Sequence, residues 1–407
     1  MRQKTPGAYS CLCRGVLGVF IILLITLSAL GDEVNYVLGN DAIEQARAGS
    51  GVASPRSAAW MLLNPAGLTQ LERRYDFSVG MIVSDILLEP GGLIGNRFDA
   101  PLKSDRVGIA PTGGFVFPLS TGTLGLGMYA PIGGRTAYKK PRNVLERILP
   151  RNADRRLEYI HTKLALAYAY EFENGWSAGI AVHGSLTGLR TDHYIPDLRP
   201  TSGGHEWEKV LGFGFGLGVY RAWDRFAVGA AYTSRHWTEA MERYGDIARH
   251  HTDLPQMFQA GIAYKVRPDL EFTADYRFVK WSEMAFFGEK PQHYGLNWGD
   301  QQGIRIGVEW KSSPRLSLMA GFAHMNSPID RNNVFTNGLV PVVTENHATT
   351  GFEFLLNEQV SMQLTYQRSF KKQIEDTGKG GFFSFFACGT RLQGSADVVR
   401  IGLTYRV

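Results

Sequence analysis

The sequence predicts an all-β fold, a membrane β-barrel of 14 antiparallel strands with an N-terminal helical hatch, or plug, inside its lumen. Apolar and polar residues alternate in segments of roughly ten residues along most of the chain. The connections between these segments are alternately short and long. An up-and-down barrel has this arrangement, with periplasmic turns at one end and extracellular loops at the other, whereas a sandwich has no reason to sort its loops.

The N-terminus has the features of an export signal. Three basic residues precede an uninterrupted apolar stretch at 16–30. This stretch is shorter than the roughly 20 residues that a helix needs to cross a bilayer. We therefore expect residues 1–31 to be a signal peptide that is cleaved near Gly31, with a retained signal anchor as the alternative. Only Cys388 lies beyond this segment, so the processed chain has no second cysteine for an internal disulfide.

Residues 32–72 lack strand alternation and are expected to form the hatch. They are rich in Ala and Gly and precede the barrel, which we assign to 73–407. An apolar run in this segment ends at Asn64 and Pro65. Proline lacks an amide proton and disfavours helical geometry in the residue before it, so the run is expected to form a short helix that stops there. Asn64, Pro65 and Ala66 then join the hatch to the wall.

Fourteen segments alternate as membrane strands do. In 270–278, for example, Phe272 and Tyr276 point one way while Glu271 and Asp275 point the other. The predicted strands are 73–83, 106–118, 121–131, 158–171, 174–191, 207–222, 225–238, 256–267, 269–283, 301–311, 314–325, 346–356, 358–370 and 397–406. Aromatic residues near strand ends match the interfacial girdles of outer-membrane barrels, and they are Tyr168, Tyr170, Trp223, Trp281 and Trp310.

The composition agrees with a barrel in the outer membrane. The chain contains 47 Gly, 23 Phe, 17 Tyr and 8 Trp, yet its mean hydropathy is slightly below zero. Outer-membrane barrels combine these properties because their strands alternate lipid-facing apolar residues with polar residues that face the lumen. The 43 basic and 38 acidic residues are too evenly balanced for a nucleic-acid-binding surface. We predict a monomer in the outer membrane of a Gram-negative cell, with outer-membrane lipid as a partner and no nucleic acid.

The alternation assigns charged residues of both signs to the lumen: His161, Lys163, Arg235, Lys265, Glu271, Asp275, Arg277, Arg305, Glu309, Glu353 and Arg400. The plainer interpretation is that they brace the wall and the hatch. A substrate with a carboxylate would need an unpaired cation in otherwise apolar surroundings. Arg235 is the first candidate and Arg277 the second, and Trp281 and Arg305 complete the predicted substrate-binding residues. Four glycines share the inner face at 207–222, where we expect the hatch backbone to approach the wall.

The sequence contains no recognisable catalytic set. No Gly-x-Ser-x-Gly motif occurs. His250 and His251 are adjacent on a predicted loop and lack the spacing of a structural metal site. We therefore expect no catalytic residues, no bound metal and no cofactor.

The predicted extracellular loops carry two apolar features. Residues 143–149 are apolar at helical spacing, which predicts a short helix that either caps the mouth of the barrel or packs on a neighbouring loop. The run Phe382–Phe386 contains four aromatic residues. Exposed aromatics in such number indicate contact with a ligand or with the membrane interface.

Several short motifs occur in order along the chain: Asn64-Pro65-Ala66, Ala110-Pro111-Thr112, Asn174-Gly175-Trp176, Tyr264-Lys265-Val266, Val279-Lys280-Trp281-Ser282 and Ser327-Pro328-Ile329. Together they resemble the FadL/TodX family of outer-membrane transporters. The resemblance covers most of the chain beyond the signal. It implies a 14-stranded barrel plugged by its hatch, which takes up hydrophobic small molecules passively, either long-chain fatty acids or aromatic and aliphatic hydrocarbons.

The resemblance also implies lateral release of the substrate through a kinked third strand. At the corresponding place Pro131 cannot donate a ladder hydrogen bond, and Gly133 and Gly134 tolerate irregular backbone. Ordinary strand termination at a loop is the alternative for these three residues. For the whole protein, the alternatives are a structural or secretion-associated barrel without transport and a water-filled porin.

Overall fold

Fourteen antiparallel strands form a closed barrel in the described part of the chain. The computed structural model describes residues 33–36, 38–95, 101–138, 155–192, 204–245, 251–293 and 295–407. The strands are β1 (Arg74–Glu89), β2 (Leu102–Leu119), β3 (Gly122–Tyr138), β4 (Arg155–Glu171), β5 (Trp176–Thr191), β6 (Glu208–Ala222), β7 (Phe226–Thr233), β8 (Met257–Arg267), β9 (Leu270–Val279), β10 (Gln301–Ser313), β11 (Leu316–Met325), β12 (Asn346–Leu355), β13 (Val360–Glu375) and β14 (Arg391–Arg406). Each pairs with its neighbours in sequence, and β14 pairs with β1 to close the wall. The predicted fold class is confirmed.

Shorter elements accompany the barrel. Two short strands, Glu33–Tyr36 and Trp237–Thr238, pair with β3 and β6. The α-helices are α1 (Ala42–Ala46), α2 (Trp60–Leu63), α3 (Gly92–Gly95) and α4 (Phe382–Phe386), and 3₁₀ helices lie at Pro65–Gln70, Trp281–Glu283, Pro291–His293 and Phe335–Asn337. Among the described residues, no helix has the length and apolarity that a membrane span requires. The helix predicted at 143–149 lies outside the described residues.

Several strands extend further toward the long loops than their alternation predicts. β1 continues to Glu89 rather than ending near 83, β3 continues to Tyr138 rather than 131, and β13 continues to Glu375 rather than 370. Alternation reflects lipid on one side of the wall and the lumen on the other, so a ladder can continue above the membrane without it. We call the end with the short turns the periplasmic end and the opposite end the extracellular end.

The burial pattern of the wall is that of a barrel in lipid. In β4, the outward side chains of Leu164, Leu166 and Tyr168 are 55%, 56% and 37% exposed, whereas the inward Ala165 and Ala167 are 0% and 1% exposed. The large apolar side chains therefore point away from the protein interior. Such a surface requires a hydrocarbon environment, which the outer membrane supplies.

The predicted aromatic girdle is present with one exception. Tyr168, Tyr170, Trp223 and Trp310 are exposed near the periplasmic turns. Trp281 is fully buried at the extracellular end, where its ring contacts Phe287 and Trp298 at centroid distances of 4.8 Å. The assignment of Trp281 to the girdle was therefore wrong, because β9 ends at Val279 and the chain turns inward before reaching it.

Residues 38–71 pack inside the barrel as the hatch. α1 packs against β12, β13 and β14, and the 3₁₀ helix Pro65–Gln70 packs against β4, β5 and β6. Trp60, Met61 and Leu68 are fully buried between these contacts and the wall. At the predicted break, α2 ends at Leu63 and Asn64 has extended backbone, with φ −156° and ψ 97°.

Charged residues of the wall hold the hatch in place. Arg56 of the hatch forms ion pairs with Glu309 and Glu353. The Asp275 carboxylate accepts hydrogen bonds from two successive hatch amides, those of Gly51 at 2.7 Å and Val52 at 2.9 Å. These contacts link the hatch to β9, β10 and β12. They agree with the interpretation that luminal charges brace the wall and the hatch.

Candidate functional site

The wall is incomplete between β2 and β3. Their ladder runs from the pair Leu119 and Gly122 to the pair Gly113 and Met128, and the described residues show no further pairing between the two strands. β2 continues toward the extracellular end in its ladder with β1, and beyond the unpaired stretch the Ala137 amide of β3 donates to Oγ of Ser104 at 3.0 Å. We call the unpaired stretch, residues 105–112 of β2 and 129–136 of β3, the window. In the membrane, unpaired backbone groups are costly unless another segment satisfies them.

A β-bulge in β3 lies at the window. Tyr129 pairs with Lys163 on β4. The next pair is Ile132 with His161, so two residues of β3 stand opposite a single residue of β4. Pro131 is one of the two, and its missing amide proton removes a ladder donor. A bulge bends its strand and increases the local twist, which turns β3 away from β2.

Two further features coincide with the window. Pro111 lies in the unpaired part of β2, so both edges of the window carry a residue that cannot donate. The short strand Glu33–Tyr36 pairs with β3 at Ile132 and Gly133. This strand, which directly precedes the hatch, thus occupies the edge of β3 that β2 leaves free and supplies backbone partners there.

A cavity in the lumen reaches the window. It is lined by Leu38, Ile82, Gly133, Arg277, Val279, Gln301, Met325, Thr344, His347, Gln367, Ser369, Ala396 and Val398. Leu38 belongs to the hatch and Gly133 to β3, so the cavity lies between the hatch, the wall and the window. Aliphatic side chains form one part of its surface, and amide, hydroxyl, imidazole and guanidinium groups form the rest. Such a lining suits a mainly apolar ligand that is oriented by a few polar contacts.

Arg277 and Gly133, two of the residues singled out from the sequence, line this cavity together. The Arg277 Nε donates a hydrogen bond of 2.7 Å to Gln259 Oε1. Arg305 lies deeper and is 1% exposed. Its Nη1 donates to the backbone oxygens of Leu38 at 3.4 Å and Gly49 at 3.2 Å. Arg305 therefore contacts the hatch rather than the open part of the cavity.

Trp281 lies behind the cavity wall. Its Nε1 donates a hydrogen bond of 2.8 Å to Oε1 of Gln301, which lines the cavity. The indole is itself buried against Trp298 and Phe287. Trp281 thus orients a lining side chain, and any effect on a ligand passes through Gln301.

Arg235 has a carboxylate partner. Its guanidinium forms an ion pair with Asp253, including a hydrogen bond of 2.9 Å from Nε. Asp253 also accepts from the Thr238 amide at 2.7 Å, which ties the ion pair into the connection after β7. Arg235 does not line the cavity described above. It therefore lacks the unpaired charge for which the sequence singled it out.

The joint between hatch and wall rests on Asn64. Its Nδ2 donates to the backbone oxygens of Val52 at 2.9 Å and Val219 at 3.0 Å. Its Oδ1 accepts from the Ala66 amide at 3.2 Å, which caps the 3₁₀ helix that begins at Pro65. A Cβ at Gly218 would overlap Oδ1 of Asn64. The close approach of hatch and β6 expected from the glycines is thus present at Gly218.

The other inner glycines of β6 face the wall and loops rather than the hatch, with Gly212 closest to the backbone oxygen of Trp237. A Cβ at Gly214 would lie 2.6 Å from Nδ1 of His236, and one at Gly216 would lie 3.5 Å from Cε1 of His183. His236 follows β7, and His183 lies on β5. The missing side chain of Gly214 therefore makes room for the imidazole of His236, while Gly216 lies at ordinary contact distance from the imidazole of His183. The sequence did not suggest either ring.

These rings form a buried cluster with a third histidine. The ring centroid of His236 lies 5.0 Å from that of His161 and 6.4 Å from that of His183. All three side chains are at most 1% exposed. His161 Nδ1 is 2.8 Å from Thr187 Oγ1, and His236 Nε2 is 2.6 Å from Ser185 Oγ. The signal that could have located the cluster is the inward position of His183 in β5, opposite the glycines of β6.

No metal centre is evident. Within the described ranges, no group of three or more His, Cys, Asp or Glu residues is arranged to hold a metal ion. The three clustered imidazoles are included in that statement, since all lie in described strands or loops.

Lipid-facing apolar strands, a hatch inside the lumen and a window in the wall define an outer-membrane β-barrel transport protein. Residues 36–407 match the family profile described as outer membrane protein transport protein (OMPP1/FadL/TodX). The chain belongs to this family. No curated relative matches the sequence.

Solved structures with the same fold are distant in sequence. The Pseudomonas putida toluene transporter TodX is 16% identical, with a TM-score of 0.68 over 91% of this chain and 99% of that chain. A Pseudomonas aeruginosa FadL homologue is 15% identical, with a TM-score of 0.69 over 92% and 99%. The Ralstonia pickettii toluene transporter TbuX is 16% identical, with a TM-score of 0.64 over 91% and 99%. These similarities agree with the strand count and the closed barrel.

Proposed function

We propose that this protein carries hydrophobic small molecules passively across the outer membrane and releases them sideways at the window. Long-chain fatty acids and aromatic or aliphatic hydrocarbons are the substrate classes. The proposal rests mainly on the cavity beside Gly133. This cavity reaches from the lumen to the window, where the described residues of β2 and β3 do not pair with each other. Two of the similar solved structures, TodX and TbuX, are toluene transporters, which supports a hydrophobic substrate.

The hatch supports a lateral route over a vertical one. Its residues are buried beneath the cavity, and ion pairs from Arg56 to Glu309 of β10 and Glu353 of β12 hold it to the wall. An apolar molecule in the cavity therefore meets the hatch below and the window at its side. Transfer of the substrate from external water to lipid is favourable by about 25 cal/mol per Å² of apolar surface removed from water, so net uptake into the membrane needs no energy source.

A water-filled porin and a barrel without transport are the alternatives. A porin would need an open lumen, and the packed hatch opposes it. A purely structural barrel would have no reason to combine a window with a cavity that ends at it. Uptake of labelled compounds decides between transport and a structural role, and single-channel conductance decides between a plugged barrel and a porin.

Deleting Pro131 tests lateral release. The deletion leaves one residue of β3 opposite one residue of β4, which removes the bulge and lets β3 run straight toward β2. We expect uptake of ¹⁴C-toluene and ¹⁴C-dodecanoate to fall to the level of cells that lack the protein. Assembly of the barrel, measured by its heat-modifiable migration on gels, should persist because the other ladders are unchanged.

The matched control is a deletion of Glu358, a single residue in the exposed turn between β12 and β13. This variant should transport like the wild type. Wild-type uptake by an assembled Pro131 deletion variant would disprove release at the window. Wild-type cells that take up neither probe faster than cells without the protein would disprove transport of these classes.

A further inference from the structure

The histidine cluster beside the bulge contains four ring nitrogens without hydrogen-bond partners. Two buried nitrogens of His183, Nδ1 and Nε2, have no hydrogen-bond partner, and the same holds for Nε2 of His161 and Nδ1 of His236. A neutral imidazole carries one N–H, so His183 has an unsatisfied donor in either tautomer. Buried polar groups are paired in nearly all proteins, so four orphaned nitrogens in one place call for a bound partner.

Lys163 adds a positive charge to this site. It is 4% exposed and, in the described part of the chain, forms no ion pair or hydrogen bond. It lies close enough to act electrostatically on all three histidines, and no acidic residue of the described ranges is among the charges that act on these four groups. An uncompensated buried ammonium is costly, and a bound anion would offset that cost.

Among the described residues no carboxylate belongs to the site, and this decides the sign of the ligand. A divalent cation would be placed beside an ammonium with no negative ligand, which is unfavourable. An anion would accept hydrogen bonds from the Lys163 ammonium and from the imidazole N–H groups. One negative charge neutralises Lys163, whereas a doubly charged phosphate would leave a buried excess. The chemistry therefore fits a single carboxylate.

The site is also placed to meet a substrate on its way out. Lys163 pairs with Tyr129 and His161 pairs with Ile132, so these two residues of β4 flank the bulge. Gly133, the next residue of β3, lines the cavity. A molecule with its apolar body in the cavity or the window can thus place its polar end at the cluster, provided that the hatch strand or the bulge yields.

We propose that Lys163, together with His161, His183 and His236, binds the carboxylate of an amphipathic substrate at the β3 bulge. This inference rests on the transport function proposed above and narrows its substrate class to hydrophobic carboxylates. A neutral hydrocarbon would gain nothing from these groups. The site thus distinguishes molecules by their head group, while the cavity selects for an apolar body.

The test compares dodecanoate with 1-dodecanol, which share a chain and differ in the head group. Binding of the two ¹⁴C-labelled compounds is measured on the full chain in lipid nanodiscs, with empty nanodiscs subtracted. The wild type should bind dodecanoate at least about tenfold more tightly than 1-dodecanol, the ratio expected for one charge-assisted contact. Equal affinity for the two ligands would overturn the proposal.

Lys163→Met keeps the length of the side chain and removes the charge. We expect it to abolish the preference for dodecanoate while the affinity for 1-dodecanol changes by less than about twofold. Lys371→Met is the matched control, because Lys371 is exposed at the extracellular end of β13. His183→Phe keeps a ring and removes both orphaned nitrogens, and it should weaken dodecanoate binding selectively if Lys163→Met fails to assemble.

The outcomes separate this proposal from the transport function. Binding of 1-dodecanol alone, or equal loss of both ligands in Lys163→Met, would reject the carboxylate site and leave transport of neutral compounds intact. A stoichiometric transition metal in the purified protein would also reject it, since the imidazoles would then be metal ligands. Failure of the wild type to bind or take up either compound would count against transport itself.

Discussion

Replacing Asn64 by Ala should release the hatch while leaving the barrel assembled. The fully buried side chain makes three hydrogen bonds, to Val52, Val219 and Ala66. Each contributes about 1 kcal/mol net, so their loss costs about 3 kcal/mol. Because every 1.4 kcal/mol is a factor of ten, the equilibrium between docked and undocked hatch should shift by roughly a hundredfold. The ladders of the wall do not depend on this side chain.

Limited trypsin digestion measures that shift. Arg47 is fully buried and Arg56 is 23% exposed in its side chain, so both are protected while the hatch is docked. When opening is fast relative to cleavage, the rate of cleavage follows the population of the open form. We expect fragments cut at these two arginines to form roughly a hundred times faster in Asn64→Ala than in the wild type.

The control and the refuting results are specific. Asn174→Ala removes a comparable amide, but from the exposed periplasmic turn, where Oδ1 accepts from the Trp176 amide. It should be cleaved at the wild-type rate. If Asn64→Ala resists trypsin as the wild type does, the hydrogen bonds of Asn64 do not hold the hatch. If the variant fails to assemble a heat-modifiable barrel, hatch and wall do not fold as separable units.

Two further predictions concern the hatch. Gly218→Ala should displace the hatch because the new Cβ would overlap Oδ1 of Asn64, whereas Gly184→Ala, with open space around its Cβ, should leave trypsin resistance unchanged. Burial, and second the nearby Asp41, raise the pKa of Glu44 from 4.5 to about 7 in the docked hatch. Between these two pH values the docked hatch therefore binds more protons than the undocked hatch, so docking weakens as the pH rises. We expect trypsin to cleave the hatch more readily as the pH rises from about 4.5 to about 7. Glu44→Gln should flatten this pH dependence, and an unchanged slope would show that another group causes it.

The sequence predicted the wall well because alternation is a local property. Each strand of a barrel in lipid must place apolar side chains outward whatever its partners are, so a segment such as Leu164 to Tyr168 shows its environment without reference to the rest of the fold. The irregularity at Pro131 could also be predicted, because any proline lacks the amide proton that a ladder hydrogen bond needs. The length of β3 beyond the bulge could not be predicted, since that extension depends on β4 as a partner.

The candidate site was only partly predictable. Arg277 was expected to bind substrate and Gly133 to belong to the lateral gate, and the two residues line one cavity. Arg235 was ranked first but is paired with Asp253, a residue on a loop whose position no alternation rule describes. His183 and His236 were missed, because their meeting depends on which strands and loops the barrel brings together.

By itself, the sequence determined the membrane barrel, its strand number, the presence of a hatch and the residues available to the lumen, since lipid, turn chemistry and proline act on neighbouring residues. Only the tertiary structure decided which luminal charges find hydrogen-bond or ion-pair partners. Arg400 reaches Gln45 across 355 positions of the chain, and Arg56 reaches Glu353 across 297. Lys163 meets no such partner in the described residues. Whether a charge is paired depends on the closure of the barrel around the hatch, which places residues distant in sequence within hydrogen-bonding distance of one another.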